Sequence, residues 1–241
     1  MGTAAAIAGL LLATALGCGS ATAGDYAERA ILGFSPDGST FAFEEYGVQD
    51  GSGFPYSNIY VIDTASDGWV AGTPVRILTQ AELAPLAETR AAAHAKVRPI
   101  LEARQVGAPG NLVASNPPTE LSADPHQVIF LPRIISPMGG AAYGLALTEI
   151  TLPAGDCPDM GQPFRGFRLA LTAPAGGTHT LANDTAIPAS RHCPLGYGIS
   201  DVLTAYPEGG QPVLAVILSM YTVGFEGPDR RFLAVTAPLP Q

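Results

Sequence analysis

The chain has little that is basic and little sulfur. Its 12 Lys and Arg stand against 21 Asp and Glu, a formal net charge of -9 over 241 residues, which argues against nucleic acid and anionic lipid as partners. It carries three cysteines and four histidines with no C-x-x-C and no H-x-x-x-H spacing, so no set of four zinc ligands can be assembled from the sequence. There is no G-x-S-x-G elbow, phosphate-binding P-loop, G-x-G-x-x-G or H-E-x-x-H, which leaves nucleotide use and zincin chemistry without support. No cofactor and no metal are expected. No apolar run reaches the roughly 20 residues of a membrane-spanning helix, so no transmembrane span is expected in the mature chain.

The strongest positive signal is at the N-terminus. From Ala4 to Leu16 the chain is apolar and rich in small residues, and Ala21-Thr22-Ala23 then supplies the A-x-A pattern cut before Gly24. A signal peptide over residues 1–23 and a periplasmic or secreted protein are expected, although no Lys or Arg precedes the apolar run. Cys18 after Ala15-Leu16-Gly17 partly matches a lipobox, which makes a lipoprotein the second route. Either route leaves Cys157 and Cys193, an even pair in an oxidising compartment, where a disulfide is the default. Closing the loop between them would stabilise the fold by about 3–4 kcal/mol.

Residues 24–241 read as a single β-rich domain. Gly at 28 and Pro at 22 exceed average usage but do not cluster, so they mark turns between short strands rather than a linker. Ser35-Pro36-Asp37-Gly38 has the chemistry of a hairpin turn, and Phe41 and Phe43 alternate with Ala42 and Glu44 beyond it. A strand, turn, strand, Gly-rich loop, strand order recurs over 30–78 and 197–237, an internal pseudo-repeat, and a third strand pair flanks Cys157. The expected fold is mainly β, with antiparallel sheets of propeller-blade-like hairpins in an incomplete propeller or a sandwich. One kinked helix is expected near 79–105, where Thr79 and Glu82 have capping-box spacing and Pro85 and Pro99 interrupt. Leu83, Leu86, Ala93, Val97 and Ile100 form its apolar stripe. Arg90, His94 and Arg98 lie four apart on one face, as a solvated face or an anion dock.

The two Gly-rich loops are the candidate binding surface, since each combines aromatic and charged side chains on a rigid scaffold. They offer Asp50, Phe54 and Tyr56 in the first, and Phe225, Glu226, Asp229 and Arg230 in the second. Asp50 with nearby carbonyls has oxygen ligands for calcium but lacks the spaced acids of an EF-hand, so a structural turn is the favoured reading. A catalytic alternative pairs Glu44 or Glu45 with Glu226 or Asp229 across a cleft, as glycoside hydrolysis requires. Glu44 and Glu45, being adjacent on a strand, point to opposite faces, so at most one serves a given site.

Phe34-Ser35-Pro36-Asp37-Gly38 and the strands after it resemble one blade of a TolB-type β-propeller. Those residues, together with Phe43-Glu44-Glu45-Tyr46-Gly47, Asp50-Gly51-Ser52-Gly53-Phe54-Pro55-Tyr56, Ser190-Arg191-His192-Cys193-Pro194 and Gly224-Phe225-Glu226-Gly227-Pro228-Asp229-Arg230, resemble a family of predicted secreted proteins, domain of unknown function 2259. The resemblance implies bacterial export and supplies no catalytic residue. The functional expectation is a non-enzymatic binding module of the cell envelope whose partner is an envelope protein or a glycan. The alternative is a hydrolase of an envelope polysaccharide.

Overall fold

The strands form three antiparallel sheets. The structure is a computed structural model, and it describes residues 24–135, 140–153, 157 and 161–240. The expected signal peptide, with Cys18, lies outside the described residues. The first sheet runs β1 (Glu28–Phe34), β2 (Thr40–Val48), β3 (Pro55–Asp63), with β4 (Gly68–Trp69) and β5 (Val75–Leu78) both paired to β3. Helix α1 (Leu86–Ala103) and β6 (Asn111–Ser115) follow. The second sheet is β7 (Gln127–Phe130), β8 (Tyr143–Leu152), β9 (Phe164–Thr172) and β10 (Thr178–Asn183) in sequential order. After a 3-10 turn at Ala189–Arg191, β11 (Pro194–Ala205), β12 (Val213–Thr222) and β13 (Asp229–Pro238) form the third sheet, in the order β13-β12-β11-β6.

That third sheet is the centre of the molecule because it is apolar on both faces. Leu214, Val216, Leu218 and Met220 of β12 pack with Leu145, Leu147, Phe167, Leu169 and Leu171 of the second sheet. Val213, Ala215 and Ile217, which alternate with them, pack with Phe34, Phe41, Phe43, Tyr56 and Ile62 of the first sheet. Ala93 and Val97 of α1 cover the far side of the first sheet over Ala42, Ile59 and Val61. The result is a four-layer stack of helix, sheet, sheet and sheet. It is mainly β, antiparallel and unclosed, with one helix among the described residues, as the sequence predicts.

The first hairpin turns as its residues dictate. Ser35 N–H donates to the Thr40 carbonyl at 2.9 Å, and Gly38 takes a φ of 73° that L side chains rarely adopt. Asp37 accepts from the Ser35 and Ser39 hydroxyls at 2.6 and 2.8 Å, and these bonds hold its carboxyl down at about 2.

The helix begins later than expected. Pro85 occupies the N-cap position at φ -64° and ψ 122°, an extended conformation, so the helix starts at Leu86 rather than near Thr79. Thr79 instead meets Thr89 hydroxyl to hydroxyl at 2.7 Å. Leu83 falls outside the helix and is 91% exposed, while Ala93 and Val97 carry the buried stripe. Pro99 lies inside the helix without ending it. Strands β6, β7 and β10 carry no strand signal in the sequence, since they are half-exposed and show no clean alternation; they pair on one side each, with β11, β8 and β9.

Candidate functional site

The central sheet ends at β13, and the two outer sheets flank that edge. Between them lies a slot of about 380 Å³. One wall is the inner face of the first sheet, from Phe43 and Glu45 on β2 through Asn58, Tyr60 and Ile62 on β3 to Trp69 and Arg76. The floor is β13 from Arg231 to Val235. The other wall is Ala182 of β10 with Pro188, Ser190, Arg191 and His192. A smaller cavity of about 230 Å³ shares Asn58, Arg76 and Arg231 with the slot and reaches Gln49 at the root of the first Gly-rich loop.

Glu45 organises the floor. It is 2% exposed. Its Oε1 accepts from Asn58 Nδ2 at 2.9 Å and from the Tyr60 hydroxyl at 3.0 Å, and its Oε2 accepts from the Phe232 backbone N–H at 2.7 Å. Burial pushes the Glu45 carboxyl above its ordinary value against the pull of these donors and of Arg231. Burial likewise drives the Tyr60 phenol well up, with the Glu45 charge adding to it. Further along β13, Asp67 Oδ1 takes the Thr236 N–H at 2.7 Å and its hydroxyl at 2.9 Å.

The slot has an aromatic flank topped by a guanidinium. Phe43 and Tyr60 stack with centroids 4.8 Å apart, and Trp69 stands 6.2 Å beyond Tyr60 and half exposed. Arg76 lies 5.6 Å from the Trp69 centroid and 6.0 Å from that of Tyr60. On the opposite wall Arg191 is held by Asp184 at 2.6 Å and stacks 4.6 Å from the Phe167 centroid. The Cys157–Cys193 disulfide, with Cα atoms 5.7 Å apart, ties the residue next to this wall to the loop between β8 and β9.

The two Gly-rich loops meet. A Cβ on Gly51 would lie 3.5 Å from the Phe225 ring, and Phe225 is 80% exposed. Three of the residues read as loop residues are in strands. Tyr56 is the second residue of β3, and Asp229 and Arg230 open β13. Tyr56 donates to Asp25 Oδ1 at 2.9 Å, and Gly47 leaves room for it, since a Cβ there would stand 2.8 Å from its hydroxyl. Arg231 joins Asp25 at 2.5 Å and Asp229 at 3.4 Å, so Asp229 is brought together with Asp25 through this guanidinium. Burial raises the Asp25 carboxyl although Arg231 opposes it.

Arg230 is almost buried, donates to the Ala27 carbonyl at 2.9 Å and lies 5.0 Å from the Tyr26 centroid. Tyr56 thus fastens the N-terminal segment to β3, and Asp229 and Arg230 fasten it to β13. Asp50 and Phe54 are half-buried in a loop closed by Gln49 N–H to the Phe54 carbonyl at 2.9 Å, and Glu226 is exposed. No group of three or more metal-ligating side chains occurs among the described residues.

Glu44 points the other way, into the layer under α1. It is fully buried and accepts from Arg90 Nε and Nη2 at 2.9 and 2.8 Å, with the Ser57 hydroxyl at 2.9 Å and His94 Nε2 3.0 Å away. Burial raises its carboxyl, and the Arg90, His94 and Ser57 bonds more than reverse this, leaving it below the ordinary value. Arg90 and His94 therefore dock the helix on the first sheet, and Arg98 alone of that trio is exposed. The residues that sequence reasoning missed are those of the slot, Asn58, Tyr60, Trp69, Arg76, Arg191 and Arg231, which come from five separate stretches of chain. The alternation of Tyr60 and Asn58 with Ile59 and Val61 was the one available signal that a polar face lay inside β3.

Among the described residues no helix is long and apolar enough to cross a membrane. Comparison with curated proteins and with solved structures finds no match. The family model "Predicted secreted protein (DUF2259)" matches residues 42–237, from within β2 to within β13, and the chain belongs to that family.

Proposed function

We propose that this secreted protein is a non-enzymatic binding module of the bacterial cell envelope that takes its ligand, part of an envelope protein or a glycan, in the slot beside β13. One observation carries this reading. The slot combines a guanidinium that has no carboxylate partner among the described residues, Arg76, with an exposed indole, Trp69, over a floor whose acids are already bonded. Such a cavity offers a few directed polar groups within an apolar lining, and its size falls within the range of ligand sites. The disulfide beside it agrees with a periplasmic or extracellular location.

The hydrolase reading has less support. Glu44 is enclosed by Arg90, His94 and Ser57, Glu45 holds three donors, and Asp229 is shared with Arg231 and the Asp25 N–H. Glu226 makes no hydrogen bond or ion pair among the described residues. A general acid and base need freedom to exchange protons with substrate and water.

The test is calorimetric titration of the purified, oxidised protein with peptide and peptidoglycan fragments, repeated on Arg76→Ala and Trp69→Ala. The slot reading expects either change to weaken binding about tenfold or more with the melting temperature nearly unchanged. Binding that ignores both and disappears on Phe54→Ala or Phe225→Ala would move the site to the Gly-rich loops instead.

A further inference from the structure

The outward N–H groups of β13 are bonded on either side of one that is open. In an antiparallel ladder, alternate residues turn their N–H and C=O toward the partner strand and away from it. Phe232 turns away from β12, because its N–H donates to Glu45 Oε2 at 2.7 Å. Thr236 does the same toward Asp67 Oδ1 at 2.7 Å. Arg230 points outward too, its N–H to the Asp25 carbonyl at 2.9 Å and its carbonyl accepting the Ala27 N–H at 3.1 Å. Ala234 has the same parity, pairs with Ile217 across the ladder and lines the slot. Its N–H and C=O therefore face the cavity, and no loop or side chain among the described residues caps them.

Exposed sheet edges invite pairing with another chain, and proteins usually blunt them. Here the blunting is selective. Two carboxylates take the N–H groups of Phe232 and Thr236 and the N-terminal segment takes both backbone groups of Arg230, while the residue between Phe232 and Thr236 opens its N–H and its C=O together into a slot walled by both outer sheets. A single peptide residue presents the complement of this window, one C=O and one N–H on the same side of its backbone.

The charges in the slot select further. Arg191 is neutralised by Asp184 and Arg231 by Asp25 and Asp229, which leaves Arg76 uncompensated. Arg76 is exposed and suited to take a carboxylate in bidentate fashion.

We infer that the slot binds an extended peptide, which adds to the central sheet as a fifth strand by pairing its backbone with Ala234 and which carries an acidic side chain to Arg76. This rests on the slot being the binding site. The peptide's backbone supplies the pairing, and Trp69 and Tyr60 on one wall with Pro188 on the other receive its alternate side chains.

The test selects a phage-displayed random heptapeptide library on the immobilised, oxidised protein and resynthesises the enriched sequence in two forms, unmodified and N-methylated at one central residue at a time. The inference expects enrichment of Asp or Glu among β-branched residues. It expects one N-methyl position to weaken binding at least tenfold, and Arg76→Ala and Ala234→Pro to weaken it likewise. Proline is tolerated where the strand N–H faces away from the ladder, so Ala234→Pro removes the donor without removing a bond to β12. The N-methyl series gives the same information should that variant fail to fold.

Enriched peptides that are indifferent to N-methylation but sensitive to Arg76→Ala would overturn strand addition and leave the slot as the site. Failure to enrich any peptide, with peptidoglycan fragments bound in a manner dependent on Trp69 and Arg76, would do the same. A stable dimer by analytical ultracentrifugation that Ala234→Pro dissociates would replace the peptide with a second copy of the chain.

Discussion

Glu44 and Glu45 are neighbours in β2 and hold different layers of the molecule together. Glu44 binds Arg90 and His94 and fixes the helix to the first sheet, whereas Glu45 crosses to the central sheet and binds the Phe232 N–H. The strand's two-residue period makes this division, since successive side chains leave opposite faces.

The two ends of the Glu44–Arg90 pair should differ in their response to substitution. Arg90 is a third exposed, so without Glu44 it can turn toward water, but Glu44 without Arg90 remains a buried carboxylate held by His94 and Ser57. Arg90→Ala is expected to cost about 3 kcal/mol, the range for stranding one buried charge. Glu44→Gln is expected to cost less. Urea denaturation of both variants measures the difference, and equal losses would contradict it.

Glu45→Gln should destabilise by about 1–3 kcal/mol. The amide keeps one oxygen for Asn58 and Tyr60 but turns its NH₂ toward the Phe232 N–H, which leaves a buried donor unbonded. The amide exchange rate of Phe232 should rise in the same variant.

Stability should depend on pH in two opposite ways. Glu45 and Asp25 have carboxyls raised in the folded state, by burial above all. Their contribution is full below the ordinary carboxylate value and is lost as pH rises through the raised one, so stability should increase on going from neutral to mildly acidic solution. Glu44 and Asp37 are lowered, Asp37 to about 2, so their contribution is present above the ordinary value and is lost as pH falls through the folded one. The urea midpoint should therefore peak in mild acid and collapse below about pH 3. A midpoint that rose steadily from pH 4 to 8 would contradict the raised pair.

The fold was legible where side-chain alternation and turn chemistry agreed. The 35–38 turn, the β1–β2 hairpin and the β11–β13 meander are legible because Gly38 sits where positive φ is needed, Phe41 and Phe43 alternate with Ala42 and Glu44, and Pro207-Glu208-Gly209-Gly210 separates two strand-like runs. Strands β6, β7 and β10 are not, since sheet-edge position, not pattern, makes them strands. Pro85, whose place in the pattern predicts an interruption of the helix, is its N-cap. The slot was out of reach for a different reason. Its walls come from both outer sheets, and only the stacking order brings Arg76 and Arg191 to the same cavity. Aromatic and charged residues clustered in sequence drew attention to the Gly-rich loops instead. The cluster around Tyr56 fastens Asp25 to β3, and the one around Asp229 and Arg230 fastens Asp25 and Ala27 to β13.

Loss of the disulfide should cost about 3–4 kcal/mol through loop-closure entropy. It should also loosen the wall that Pro188 to His192 give the slot, because Cys193 follows directly. The Cys157→Ser, Cys193→Ser double variant is expected to melt lower and to bind slot ligands more weakly, and reduction of the native protein should reproduce both changes. Weakened stability with unchanged binding would separate the bridge from the site.

The most direct measurement is native-state amide hydrogen exchange along β13. Leu233 and Val235 are bonded to β12 by the ladder's alternation, and Phe232 and Thr236 are bonded to Glu45 and Asp67, so all four should exchange slowly. The Ala234 amide, alone among the five, should exchange fast in the free protein and become protected when a selected peptide is bound. Ala234 protection equal to that of its neighbours in the free protein would mean the edge is already closed, and the slot would have no strand to receive.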